Sequence, residues 1–182
     1  VAMFRTGYWP LGTGTGPQQR LAEIRRDIIG LVMLGRRCNL QAMIPNRAGA
    51  YAGHSVAEAQ SLIGDMDPHW AGFYFDIAAA AVDAGSAGFA AAMQAALPRT
   101  KAIAVSDFRP KAGDSAAPEP CPLGEGSVDW AKAFSILAGA RFTGPISIHM
   151  DYAAKDSPNA AHKDLEFVHK QVQQAYAAAQ KS

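Results

Sequence analysis

Only two cysteines, Cys38 and Cys121, stand in the 182 residues, and they lie far apart. Such a pair builds neither a disulfide framework nor a zinc knuckle, so both read as small reduced side chains. No apolar run comes near the ~20 residues that cross a bilayer as a helix. Neither sign of charge dominates: 17 Lys and Arg against 16 Asp and Glu leave a net charge of +1. The basic residues are spread along the chain and lack the concentrated face of a nucleic-acid binder. A dinucleotide fingerprint is also missing. Gly12, Gly14 and Gly16 precede a helical stretch without the G-x-G-x-x-G spacing, and read as a flexible loop. No signal peptide opens the chain, which begins Val-Ala-Met-Phe-Arg in what reads as the middle of a strand. The expectation is that an N-terminal part of the parent protein is missing, and any targeting segment with it. The cytoplasm is the expected compartment, with a periplasmic or secreted location left open for that reason.

What is present is an ordinary globular balance, 49% hydrophobic and 18% charged, in a length that suits one domain over residues 1–182. Short apolar strands alternate with helical stretches, the pattern of βα units and a parallel sheet. Strands are expected at residues 1–6, 40–44, 71–76, 101–107 and 145–151. A helix over 17–34 starts at Pro17, which a first turn tolerates. Leu21, Ile24, Ile28 and Leu31 repeat along it at helical spacing. A second helix, over 55–63, has Ser55 as N-cap and Glu58 completing a capping box. Others are expected at 88–97 after an Ala-rich stretch, from Ser127 or Asp129 to residue 140, and over 159–181. Residues 109–126, rich in Pro, Gly and Ala, read as a long loop of a length that is usually functional or disordered. The fold class is therefore α/β: a parallel (β/α) barrel of TIM type with about five units. A closed one takes eight in ~250 residues, so the barrel is expected to be incomplete. An open doubly wound sheet is the alternative that five units build alone.

Alternation along the strands sorts their faces. Ser147, His149 and Asp151 share one face, opposite Ile146, Ile148 and Met150; Tyr74 and Asp76 lie opposite Phe73 and Phe75. A parallel strand buried on both sides is apolar throughout, so a polar file suits a barrel lumen near its open top. Arg5, Asn46, Asp76, Asp107, His149 and Asp151 fall at the C-terminal ends of strands, where such barrels carry their chemistry. Structural roles compete at each: a helix cap for Asp76, a turn cap for Asp107, a hydrogen-bonded core histidine for His149, a simple ion pair for Arg5. His54, His69, His162 and His169 read as surface residues.

Four segments in order carry a family resemblance. Residues 67–76, Asp-Pro-His-Trp-Ala-Gly-Phe-Tyr-Phe-Asp, lead into a strand ending in Asp76. Residues 102–108 resemble a strand ending in a Lys-Asp pair. Residues 122–130, Pro-Leu-Gly-Glu-Gly-Ser-Val-Asp-Trp, and residues 142–148, Phe-Thr-Gly-Pro-Ile-Ser-Ile, complete the set. Together they resemble the xylose isomerase-like sugar phosphate isomerase/epimerase superfamily, in register with strands four to eight of its barrel. The resemblance implies a divalent metal (Mn, Zn or Mg) held by Glu, Asp, His and Glu from four strands. Here Pro45 stands for the first Glu, with Asn46 beside it. Asp76 is kept, Ala104 stands for the His, and His149 for the last Glu, with Asp151 two residues on. Ser106 replaces the Lys before Asp107, and Ala79 stands where many members have a His.

The expected function is that of a sugar or sugar-phosphate isomerase/epimerase, with proton transfer next to a carbonyl. Asp76 and His149 are the expected catalytic residues. With Asp151 they are also the only metal ligands in view, so weak or absent metal binding is expected. Arg5, Asn46 and Asp107 are expected to hold substrate oxygens, and Tyr8 and Trp9 to wall the pocket. The partner is then a small sugar or sugar-phosphate ligand, with no nucleic acid and no membrane, and self-association as a homo-oligomer is expected of an open barrel. The alternative is a non-catalytic carbohydrate-binding barrel with a degenerate metal site. A zinc-dependent DNA-repair endonuclease on the same barrel fits poorly, because the His and Glu ligands and a basic stripe are missing.

Overall fold

Five strands lie side by side in the order in which they occur in the chain. In the structure, a computed structural model, residues 2–12, 16–110 and 118–181 are described. Strands β1 (Ala2–Arg5), β2 (Leu40–Pro45), β3 (Ala71–Asp76), β4 (Thr100–Val105) and β7 (Ile146–Ile148) pair in parallel, each with its sequential neighbour. Helices α1 (Pro17–Arg37), α2 (Val56–Ile63), α3 (Ile77–Ala96), α4 (Trp130–Gly139) and α5 (Ser157–Ala179) connect and follow them. Between β4 and α4 a small antiparallel ladder pairs β5 (Asp107–Arg109) with β6 (Glu119–Cys121).

The two faces of the sheet differ in kind. Ile44, Phe73, Phe75, Ile103 and Val105 pack with Ile24, Ile28, Ile63, Met93 and Phe134 of the helices in one continuous core. On the other face Met43, Tyr74, Ala102 and Ala104 form a cluster of their own that contains no helical residue. A doubly wound sheet carries helices on both faces. Helices on one face and a private cluster on the other instead make a curled half-barrel, with β1 and β7 at its edges among the described residues. β2 and β3 are buried almost throughout, whereas β1 is largely exposed.

Local chemistry explains the element ends. Pro17 opens α1, and Arg36 and Arg37 sit at the negative end of its dipole. Ser55 caps α2 by accepting the Glu58 N–H. The capping box is only half formed, because Glu58 Oε1 takes the N–H of Gly53 at 2.7 Å rather than that of Ser55. Asp129, not Ser127, caps α4 through the Lys132 N–H, and Asp156 caps α5, whose first residue, Ser157, lies two before the expected start.

Three expectations need correction. α3 starts at Ile77, straight after β3, because the Asp76 carboxylate caps it through the Ala79 N–H and the alanines that follow are strong helix formers. Gly85, at φ 64°, breaks its regularity before the expected segment begins. β4 ends at Val105, since Asp107 turns into the β5–β6 ladder. The stretch 109–126 is therefore not a bare loop. Its residues 111–117 lie outside the described residues, as do Gly14 and the neighbours on either side of it. Both cysteines are free, Cys38 exposed and Cys121 buried, and no described helix is long and apolar enough to cross a membrane.

Asp107 organises the segment after this ladder. Its carboxylate accepts the backbone N–H groups of Phe108, Gly124, Gly126 and Val128 and the Trp130 indole N–H, between 2.9 and 3.3 Å. The residue is 3% exposed. A Cβ on Gly126 would collide with this carboxylate, so only glycine lets the backbone approach. A similar tie comes from buried Asp164 of α5, which accepts from the Leu123 N–H at 3.1 Å and the Tyr152 hydroxyl at 2.7 Å. Removing an acceptor shared by several buried donors strands them all. Asp107→Ala is expected to cost roughly 2–4 kcal/mol, read as a fall in the urea midpoint. Gly126→Ala should also lower that midpoint. An unchanged midpoint in either variant would contradict this role.

Candidate functional site

The private face of the sheet leads to a polar rim at the C-terminal strand ends. Tyr74 projects from β3 on the face of Met43, Ala102 and Ala104. Its hydroxyl lies 2.9 Å from His149 Nε2, and the two rings stack with centroids 6.0 Å apart. Burial raises the Tyr74 phenol above its ordinary value despite the nearby Ser147 side chain and Arg5 charge, which pull the other way. The phenol is therefore neutral at pH 7, and it donates to Nε2 in the tautomer that carries the ring proton on Nδ1. The His149 backbone N–H donates to the Val105 carbonyl at 2.9 Å, which fixes the residue just beyond β7. Small Ala102 and Ala104 leave room for the two rings.

Asp76 sits at the end of β3, 6% exposed. Asn46, at 1%, clamps it: the Asn46 amide N–H donates to the Asp76 carbonyl at 2.9 Å and its oxygen accepts the Asp76 N–H at 2.7 Å. Both polar ends of Asn46 are thus spent on the backbone. Burial raises the Asp76 carboxyl above its ordinary value; the Ala79 N–H and the charges of His149 and Arg47 pull the other way. Asp76 lines a cleft of about 460 Å³ together with Arg47, Ala79, Ser106, Phe108 and Asp151. That volume lies within the usual range for small-molecule sites.

A cationic corner adjoins this cleft. The Tyr8 ring holds the Arg5 guanidinium at 4.6 Å from its centroid and the Arg47 guanidinium at 4.8 Å. Arg5 also approaches the Tyr74 ring, at 5.7 Å, and Arg47 the Tyr51 ring, at 5.7 Å. The corner is held by backbone bonds between two loops: Leu11 N–H to Ala50 O at 3.1 Å and Ala52 N–H to Trp9 O at 2.8 Å. Trp9 is half-buried against the helical core.

Arg5, Tyr8, Asp76, His149 and Asp151 thus belong to one rim, with Asn46 beneath as a backbone clamp. Asp107 opens β5, its acceptor capacity filled by the segment after the ladder. Tyr74 and Arg47 were missed from the sequence. Tyr74 shares the inward file with Asp76, which was a usable signal; Arg47 lies in a loop, where alternation says nothing. His54, His69, His162 and His169 are exposed, as expected.

The metal implied by the resemblance does not fit these residues. Pro45 and Ala104 offer no donor atom, one Asp76 oxygen caps α3, and His149 Nε2 faces Tyr74. Among the described residues no group of three or more His, Cys, Asp or Glu could hold an ion, and the candidate ligands Asp76, His149 and Asp151 form no such group.

Helices outside, a private inner face and polar strand ends define a (β/α) half-barrel with its rim at the C-terminal side. The chain belongs to the xylose isomerase-like TIM barrel family, whose model matches residues 2–171. No curated protein matches it. Among solved structures, a D-tagatose 3-epimerase-like protein superposes with a TM-score of 0.73 at 17% identity, over 97% of this chain and 63% of that one. An L-ribulose 3-epimerase gives 0.75 at 10% identity, over 98% and 64%. A D-allulose 3-epimerase from Methylomonas sp., solved in complex with D-allulose, gives 0.68 at 15%, over 93% and 62%. At such identities the likeness is one of fold, and the chain spans less than two thirds of each.

The raised Asp76 carboxyl has a signed consequence. The folded chain binds its proton more tightly than the unfolded chain, whose value is near 3.8. Stability from this group falls as pH rises from there through the folded-state value. Asp76→Asn keeps an acceptor for α3 and removes the titration. Its stability relative to the parent should rise between acid and neutral pH, in urea unfolding across a pH series. A difference independent of pH would show that Asp76 is not held by burial.

Proposed function

We propose that this protein is a sugar or sugar-phosphate isomerase/epimerase acting by proton transfer next to a carbonyl. The observation that carries the proposal is the Tyr74–His149 contact on the same rim as Asp76, which feels the His149 charge and itself lines a cleft of sugar-binding size. The epimerase names of the superposed structures support the substrate class. In the same proposal the five strands take the places of strands four to eight of the full barrel, which the order of the resembling segments supports.

His149 Nε2, once the Tyr74 hydroxyl turns from it to the substrate's carbonyl oxygen, is the group to take a proton from the carbon beside the carbonyl. The C–H pair becomes the enediol double bond and the carbonyl oxygen accepts a proton. Tyr74, a neutral donor, is placed to supply it, and it orients the imidazole beforehand. Return of a proton to the neighbouring carbon, with loss of the hydroxyl proton from the first carbon's oxygen, isomerises the sugar; return to the opposite face of the same carbon, with Tyr74 taking back the proton it gave, inverts it. Asp76, protonated more readily than a free carboxyl, is the second group on the cleft for that return. Asn46 and the α3 cap hold it in place, and Arg5 against Tyr74 contributes positive charge as the enediolate develops.

The test is carbon-bound proton exchange in D₂O, followed by NMR, with ketohexoses and their phosphates as probes. Exchange next to the carbonyl is expected. His149→Ala should slow it by roughly 10²–10⁴-fold, and Tyr74→Phe by less. Binding without exchange in any probe would make this a carbohydrate-binding barrel instead, and exchange undiminished in His149→Ala would remove His149 from the chemistry.

A further inference from the structure

The cationic corner is the feature that the proton-transfer chemistry uses least. Arg5 and Arg47 come from different elements, β1 and the loop after β2, and both guanidiniums lie against one Tyr8 ring. Two like charges brought to one ring repel each other, and cation–π contact offsets this only in part at ~0.5–1 kcal/mol each for exposed sites. Three other arginines are matched with carboxylates: Arg25 with Asp65 at 2.9 Å, Arg20 with Glu23 at 3.3 Å, Arg109 with Glu125 at 2.5 Å. Among the described residues, neither Arg5 nor Arg47 has an ion-pair partner or a side-chain hydrogen bond. Asp76, the carboxylate whose titration feels Arg47, is turned to α3 instead.

The corner is built and connected. The Trp9–Ala52 and Leu11–Ala50 backbone bonds hold Tyr8 and Tyr51 together, their centroids 6.1 Å apart. Arg47 lines the cleft, while Arg5 reaches over Tyr74, whose hydroxyl meets His149. A ligand group bridging the two guanidiniums would thus place its remaining atoms toward the proton-transfer pair. Planar guanidinium forks match the oxygens of a carboxylate or phosphate, and aromatic backing keeps their donors aimed outward.

We propose that Arg5 and Arg47, braced on Tyr8, form an anion-recognition site that selects sugars bearing a carboxylate or a phosphate over neutral sugars. This substrate class rests on the function proposed above, and it assigns Arg47 a binding role. Neutralising the pair's mutual repulsion adds to the affinity of an anion, so binding should weaken with ionic strength.

The experiment is calorimetric titration of the chain with three probes: D-fructose, D-fructose 6-phosphate and D-gluconate. At least one anionic probe should bind about tenfold or more tightly than D-fructose, the scale of one charge-assisted hydrogen bond. Preference for the phosphate or for the carboxylate decides which anion the site takes. Arg47→Gln and Arg5→Gln should each remove most of the preference, Arg47→Lys should restore part of it, and Arg26→Gln, the same charge change on α1, should leave it intact. Thermal melts of each variant check folding, and the Lys variant keeps the test open if Arg47→Gln is unstable. Equal affinity for charged and neutral sugars, a preference surviving in the Arg5→Gln/Arg47→Gln double variant, or no binding of any probe would each overturn the site. Deuterium exchange on the same samples separates the two proposals. Exchange without charge preference sinks the anion site alone; arginine-dependent anion binding without exchange sinks the proton-transfer function alone.

Discussion

The bond pair between Asn46 and the Asp76 backbone holds the rest of the site in place. Pro45 ends β2 with no N–H to give its neighbour. The Asn46 side chain takes over, offering both a donor and an acceptor to the end of β3. That pins Asp76 where its carboxylate starts α3 and its remaining surface lines the cleft. One buried amide thereby sets a strand end, a helix start and the position of a titratable group. It stays buried at low cost because all its polar atoms are paired.

The inner face follows from what is small as much as from what is polar. Ala102 and Ala104 on β4 leave the space that Tyr74 and His149 fill. In the metal-binding pattern that the sequence resembles, one of those positions carries a histidine. Here the rim is organised by a phenol–imidazole contact and two guanidiniums. Guanidiniums stand at these strand ends as donors whose planar forks match the oxygens of an anion, the ligand proposed for them above.

The segment after β4 is ordered by a different device. Asp107 gathers five donors, and buried Asp164 ties the same loop to α5. Together these bonds fold a Pro- and Gly-rich stretch against the barrel's rim without a large apolar core of its own. Phe108 and Pro120 from its ladder close one side of the cleft.

The amino-acid sequence by itself determined the alternation of strands and helices, since apolar runs and caps such as Ser55 and Asp129 are local signals. It also placed Asp76 and His149 at strand ends, because two-residue alternation is set by backbone geometry. Other outcomes needed the assembled fold. Tyr74 and His149 are 75 positions apart and meet only because parallel pairing brings their strand ends onto one rim. Arg47 and Tyr8 lie in loops, whose side-chain directions no periodicity dictates. Asn46 and Asp107 looked like substrate ligands in the sequence, yet both spend their hydrogen-bonding atoms on the protein. A polar residue at a strand end announces its position; which donors reach it first is decided by neighbours that only tertiary structure supplies.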